Sequence, residues 1–174
     1  MKKNIIYLIL FLFFLFIFST FYVGLDKPNL YTPKEIKNKK LEQFSSNELF
    51  SNEKLNSNNI IKDYKFTLVN IWSSWCVPCK NEHFLLMDLK EKTKLNIIGL
   101  NYKDKKNNAI KFINELGNPF SKILTDPDGT ISISLGAYGV PETFLLNNKS
   151  KVIKKYIGPL TKENVKEIIK IVKS

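Results

Sequence analysis

The feature that most restricts what this chain can fold into lies at residues 66–92. There a run of β-forming apolar residues breaks off at a cysteine pair and resumes as a helical pattern. Phe66-Thr67-Leu68-Val69-Asn70-Ile71-Trp72 is short and nearly continuously apolar, the signature of a strand covered on both faces. Cys76-Val77-Pro78-Cys79 follows, and Leu85, Leu86 and Leu89 then recur at helical spacing within residues 77–92. A doubly buried strand feeding directly into a helix calls for a sheet with helices packed on it.

The remaining elements agree with that architecture. Asn96 to Asn101 reads as a second buried strand. Ala109, Ile110, Phe112, Ile113 and Leu116 form an amphipathic helix closed by Gly117 and Pro119. Asp126-Pro127-Asp128-Gly129 is a turn. Thr143 to Leu146 and Val152 to Ile157 are strands separated by Asn147-Asn148-Lys149-Ser150, a hairpin. Thr161 caps a last helix, with Glu163 in its first turn and Val165, Ile168, Ile169 and Val172 on its inner face. The order is strand, helix, strand, helix, short strand or turn, strand, strand, helix, and the late hairpin makes the sheet mixed. Residues 41–59 are expected to add a small hairpin and a turn of helix. There is no internal repeat.

The N-terminus has a different character. No charge occurs from Asn4 to Leu25, a run of 22 residues, and a helix of that length spans roughly 33 Å, enough for a bilayer core. A signal peptide competes with this reading, because Lys2 and Lys3 make a short basic start. Its apolar region would be shorter and would end in small residues, whereas Phe21 and Tyr22 follow Ser19 and Thr20 at once. An uncleaved anchor is therefore expected over residues 1–25. No cysteine lies near it, which excludes a lipoprotein. Lys2 and Lys3 favour a cytoplasmic N-terminus, against Lys27, Lys34, Lys37, Lys39 and Lys40 on the other flank. Long domains translocate largely regardless of such charges, so the domain is placed outside. Residues 26–40, with Pro28, Pro33 and a lysine cluster, read as a tether.

The net charge of +11 raises the question of nucleic acid. Every one of the 27 basic residues is lysine, and base reading and bidentate phosphate contacts depend on arginine. The charge reads instead as lysine on solvated faces, with a modest attraction to anionic membrane surfaces.

The two cysteines, three residues apart, carry the chemistry. Free N–H groups and the dipole at a helix N-terminus favour an anion, so Cys76 is expected to be acidic and nucleophilic. Cys79, one turn further in, is expected to be shielded and placed to resolve a mixed disulfide. Pro78 suits the first helical turn, where a missing N–H costs little. Structural zinc needs about four ligands, and a permanent disulfide across so small a loop stabilises little. Thiol–disulfide exchange accounts for the pair best.

Val69 to Lys80 resembles the active-site segment of the thioredoxin superfamily. Asn81-Glu82-His83, Gly99 to Asp104, Glu115 to Pro119, Asp126 to Gly129 and Gly136-x-Tyr138-Gly139-x-Pro141-Glu142-Thr143-Phe144 narrow the match. Together these segments are similar to the bacterial cytochrome c maturation thioredoxins of the CcmG/DsbE type, over roughly residues 40–174. The resemblance implies an α/β, thioredoxin-like mixed sheet flanked by helices. A central insertion would lie within residues 102–135, with an N-terminal transmembrane helix ahead of the domain at 41–174. It implies a cis Val140–Pro141 bond opposite the cysteines, with backbone groups that dock an extended chain. Asn70 stands where thioredoxin has a buried aspartate. Glu82 and Glu142 match other acidic positions of the maturation proteins, either tuning the site or remaining solvated charges. Trp75 is expected on the docking surface, Trp72 in the core, and His83 as a base or a surface or helix-packing residue.

The function so implied is reduction of apocytochrome c cysteines outside the bacterial inner membrane, with no cofactor beyond the Cys76–Cys79 disulfide. Its partners would be apocytochrome c or a haem-ligation component, and a membrane thiol reductant that supplies electrons. The alternatives are a membrane-tethered thiol reductase of another pathway and a non-catalytic binding module.

Overall fold

The structure is a computed structural model that describes residues 2–25 and 39–173. The chain divides into two units, residues 1–34 and residues 35–174. In the first, α1 (Lys2–Leu25) is a single helix whose stretch Lys3–Val23 is long and apolar enough to cross a membrane. Within it, Thr20 Oγ1 donates to Ile17 O at 2.8 Å, a hydroxyl bonded back to its own helix. Most of the expected tether, residues 26–38, lies outside the described residues.

The second unit is built on five strands: β3 (Phe66–Trp72), β4 (Asn96–Tyr102), β5 (Lys122–Asp126), β6 (Glu142–Asn147) and β7 (Val152–Ile157). Their order across the sheet is β5-β4-β3-β6-β7. β3 runs parallel to β4 and β4 parallel to β5, while β6 is antiparallel to both β3 and β7. The mixed sheet expected from the hairpin is present, and the apolar run 66–72 is its centre. Alternation along β3 sends Leu68 and Trp72 to one face and Val69 and Ile71 to the other, all essentially buried.

The first face is covered by α3 (Val77–Lys92), α4 (Lys106–Leu116) and α6 (Lys162–Lys173). They contribute Leu85, Leu86, Leu89, Ala109, Phe112, Ile113, Val165 and Ile168 to one core. Ile169 and Val172, expected on the inner face of α6, are only half-buried at its margin. Thr161 caps this helix, Asn164 N donating to its Oγ1 at 3.2 Å. The opposite face packs Val69, Ile71, Ile98, Leu100 and Phe144 against Leu41, Ile61 and Leu135. Ile61 ends α2 (Ser57–Ile61), which follows the hairpin β1 (Ser45–Asn47) and β2 (Lys54–Asn56). This is the small hairpin and turn of helix expected from residues 41–59.

Two differences from the sequence reading have physical causes. Main-chain pairing begins before residue 41, because Lys39 O accepts from Val152 N and Lys40 bridges to Lys151. A short helix, α5 (Thr130–Ser134), follows the turn at 126–129. Thr-Ile-Ser-Ile-Ser alternates in polarity and carries no helical period, but Asp126 imposes one. Its carboxylate accepts from Ile131 N, Ser132 N and Ser132 Oγ at 3.2, 2.8 and 2.6 Å, satisfying the first-turn N–H groups. Residues 102–135 thus fold as α4, β5 and α5, and β5 adds an edge strand beyond β4.

Candidate functional site

β3 ends at Trp72, and four residues later Cys76 is the N-cap of α3. Its extended backbone (φ −88°, ψ 107°) turns the side chain back over the first turn, where Sγ accepts from Cys79 N at 3.1 Å. Pro78 occupies the first turn, and no acidic residue does. A sulfur at Cys76 therefore meets the positive end of the helix and a donated N–H, and both favour thiolate over thiol. Cys76 and Cys79 are joined by a disulfide, 4% and 2% exposed. Flanking them, Trp75 is 57% exposed and Val77 69%. The shielded pair is thus bordered by exposed apolar side chains.

The loop from β3 to α3 is held from outside by the end of β4. Ser74 N and Oγ donate to Asp104 at 2.6 and 2.8 Å. Asn101 Nδ2 donates to the same carboxylate at 3.0 Å. Trp75 Nε1 donates to Lys103 O at 3.0 Å, which fixes the ring that borders Cys76.

Beneath the pair lies a buried polar group. Asn70, on the same face of β3 as Leu68 and Trp72, donates through Nδ2 to Glu82 Oε1 at 2.8 Å and to Thr143 Oγ1 at 3.0 Å. Glu82, one turn of α3 after Cys79, also accepts from Leu160 N. Burial raises its pKa to about 7, against the lowering effect of those two donors. Glu82 is thus no solvated charge, and neither is Glu142, which is 1% exposed and ion-paired with Lys155 at 2.7 Å. Glu142 begins β6 directly after Val140–Pro141, whose peptide bond is cis. Val140 packs against the apolar cluster that includes both cysteines. Tyr138, on the same loop, is exposed.

Trp72 lies in the core, tilted against Phe112 and stacked on Phe120. His83 faces inward as a packing residue. Its ring meets Phe112 edge-on, and Nε2 lies 2.9 Å from Gly117 O. A carbonyl only accepts, so Nε2 carries the hydrogen. Burial pushes the pKa of His83 down.

Asp104 and Lys155 were missed in the sequence. Asp104 stands in a run, Lys103-Asp104-Lys105-Lys106, that reads as a solvated charged turn, and Lys155 is one lysine among 27. Among the described residues, no three His, Cys, Asp or Glu side chains are placed to hold a metal ion.

The Redoxin family model matches residues 36–170. The thiol:disulfide interchange protein CycY of Rhizobium leguminosarum bv. viciae is 45% identical over 103 residues, 59% of this chain and 55% of that protein. The thiol:disulfide interchange protein DsbE of Vibrio cholerae serotype O1 is 36% identical over 131 residues, 75% of this chain and 70% of that protein. The match to CycY thus spans little more than half of that relative's length. Among solved structures, a DsbF homologue from Corynebacterium diphtheriae superposes with a TM-score of 0.68 at 23% identity, covering 83% of this chain and 96% of that one. That likeness establishes the thioredoxin-like fold.

Proposed function

The chain belongs to the Redoxin family, as a relative of the DsbE thiol:disulfide interchange proteins, and we propose that it reduces the cysteine pair of apocytochrome c for haem attachment. In this reading α1 is a single-pass anchor in a bacterial inner membrane, and the Redoxin domain works in the periplasm. The observation that carries the chemistry is the position of Cys76 as the N-cap of α3, with its sulfur on the Cys79 N–H.

The exchange begins from the dithiol. Cys76 thiolate attacks one sulfur of the target disulfide, forming a mixed disulfide and expelling the other target sulfur as thiolate. Cys79 then gives up its proton and attacks Cys76 Sγ. The first target sulfur leaves with the bonding electron pair, and Cys76–Cys79 is left as the disulfide. Glu82, one turn beyond Cys79 and with a pKa of about 7, is the acceptor for the Cys79 proton, since a base is most effective when its pKa lies near the working pH. The compartment is oxidising, so a membrane dithiol returns two electrons to the pair after each cycle. Trp75, Val77, Tyr138 and cis Val140–Pro141 supply the surface on which an extended target chain lies.

The test is the reduction potential of Cys76–Cys79 in the full chain, solubilised in detergent and equilibrated against glutathione buffers. A value at or below roughly −200 to −270 mV supports a reductant, whereas one near −120 mV would mean a disulfide donor and overturn the proposal. Turnover of a disulfide-bonded Cys-x-x-Cys-His peptide, compared with an unrelated disulfide-bonded protein, separates cytochrome maturation from general reduction.

A further inference from the structure

Lys155 carries a charge that the exchange does not use, and it is held at the cost of desolvation. It lies on β7 with its side chain 8% exposed. Nζ is 2.7 Å from Glu142 Oε2 and 2.8 Å from Gly136 O, to which it donates. The ammonium also lies 4.5 Å from the centre of the Tyr138 ring and 5.2 Å from that of Phe144. Burying an ammonium is costly unless ion pairing, hydrogen bonds and aromatic faces replace its water. Here all three are supplied, and three of the four groups that supply them, Gly136 O, Tyr138 and Glu142, belong to the segment 136–142.

The arrangement joins the two ends of that segment. Gly136, with φ +83°, begins it and Glu142 closes it, and one ammonium holds both. The carboxylate it pairs with also accepts from Tyr138 N at 2.8 Å through its other oxygen. Gly136, Tyr138 and Glu142 are therefore fixed through Lys155, and the cis Val140–Pro141 bond lies between them. Lys155 approaches this loop from the far side of β6, across from Phe144, with which it pairs in register.

We infer that Lys155 is a positioning residue that holds the 136–142 loop in the shape that docks the substrate chain. The inference rests on the reading of this loop as the docking surface. Without the ammonium, Gly136 O loses its donor, the Tyr138 ring loses its cation, and Glu142 becomes an unpaired buried carboxylate. The loop loosens, while the cysteines and the helix N-terminus that activates them are untouched. An extended peptide therefore docks less well, and a small disulfide, which needs no docking surface, reacts as before. The geometry demands a cation with hydrogen-bond donors, so arginine can replace lysine and a neutral side chain cannot.

The experiment compares the full chain in detergent with Lys155→Met, Lys155→Gln and Lys155→Arg. Each reduced protein is assayed on a disulfide-bonded Cys-x-x-Cys-His peptide and on glutathione disulfide. Amide hydrogen exchange at Tyr138 and Gly139 is measured in parallel. In Lys155→Met the peptide KM is expected to rise about tenfold with kcat little changed, the pattern of lost uniform binding. Glutathione disulfide turnover and the reduction potential should stay within error of wild type, exchange at Tyr138 should speed up, and Lys155→Arg should restore the peptide KM. Lys155→Gln, which keeps a donor but no charge, reads the same effect if the methionine variant does not fold. A wild-type peptide KM in the neutral variants, or an equal loss on peptide and glutathione disulfide, overturns the inference. If wild type itself leaves the peptide oxidised, the reductase reading fails. Exchange at Tyr138 then decides the inference alone: unchanged protection in the neutral variants overturns it, and lost protection restored by arginine upholds it.

Discussion

Asn70 on the central strand and Glu82 on the helix that follows are joined by a 2.8 Å hydrogen bond closed to water. Asn70 is fully buried and Glu82 nearly so. In most proteins a strand asparagine would be a packing liability, since its amide must find partners inside the core. Here it supplies one of two donors to a carboxyl group that burial has moved to a pKa of about 7. Glu82 therefore changes charge in the range where thiols exchange.

The first prediction concerns rate. If Glu82 takes the Cys79 proton, the step in which Cys79 resolves the mixed disulfide should accelerate with pH through an inflection near 7. Glu82→Gln should remove that inflection and slow the step at pH 7.5 by roughly 10²-fold, the low end of what a positioned base contributes. The substitution can be accommodated. Flipping the Asn70 amide lets Asn70 Oδ1 accept from the new Gln NH2 and from the Thr143 hydroxyl, while the Gln oxygen accepts from Leu160 N. Rapid-quench trapping of the mixed disulfide measures the step, and overlapping pH profiles for the two proteins would rule Glu82 out as the base.

The same pKa makes a prediction about stability. The folded value of about 7 exceeds the ordinary 4.5, so the folded state keeps the proton longer than the unfolded chain. That contribution is complete below pH 4.5 and is lost as pH rises through 7. At 1.36 kcal/mol per unit it amounts to about 3 kcal/mol between pH 4.5 and 8. Urea unfolding of the disulfide form at pH 5 and pH 8, followed by fluorescence of Trp72 and Trp75, should show this fall. Glu82→Gln should flatten it, and a wild-type slope in that variant would assign the effect to another group.

What the sequence made legible here was what depends on near neighbours. The limits of β3 and α3 follow from apolar runs and from the cysteine N-cap, and the late hairpin follows from a polar tetrapeptide between two strands. The α5 helix was hidden because its period comes from Asp126, outside the helix, and not from its own residues. The site divides in the same way. The cysteine pair announces itself by spacing, but whether Glu82 is solvated depends on Leu160, 78 residues later. Glu142 depends likewise on a lysine that only the β6–β7 pairing brings beside it. Burial of a charge depends on distant contacts, and single-sequence patterns do not carry those.

His83 is expected to support α3 and take no part in exchange. Its Nε2–H is aimed at Gly117 O, and its ring stands on Phe112. Because burial depresses its pKa, the neutral ring's contribution is present above about pH 6.5, the ordinary imidazole value, and is lost as pH falls below it. His83→Ala should cost about 1–3 kcal/mol, since it orphans a carbonyl, and should weaken the stability loss below pH 6.5. Its rate on glutathione disulfide should match wild type. A large rate loss would restore His83 as a participant in the chemistry.

Gly99 lies in register with Asn70 across β3 and β4, under the Trp72 indole. A Cβ there would stand 2.8 Å from Trp72 Nε1 and 3.0 Å from the Phe120 ring. Both rings are stacked and confined, so Gly99→Ala should overpack the core and cost about 1–3 kcal/mol. Thermal unfolding of the variant checks it, and an unchanged Tm would mean that the Trp72–Phe120 stack has room to shift.

The last prediction concerns Asp104, whose carboxylate gathers Ser74 N, Ser74 Oγ, Asn101 Nδ2 and Lys105 N between 2.6 and 3.0 Å. All four are donors, so the position requires an acceptor at both oxygens. Asp104→Asn keeps one acceptor and turns the other into a donor facing donors, while Asp104→Ala removes both. Stability should therefore fall in the order Asp, Asn, Ala, with alanine losing about 1–3 kcal/mol for donors left without a partner. Because Ser74 lies two residues before Cys76, amide exchange through Ser74, Trp75 and Cys76 should speed up in the same order. Three proteins with equal exchange would mean that the loop is held by the Trp75–Lys103 bond alone, and Trp75→Phe would then be the variant that frees it.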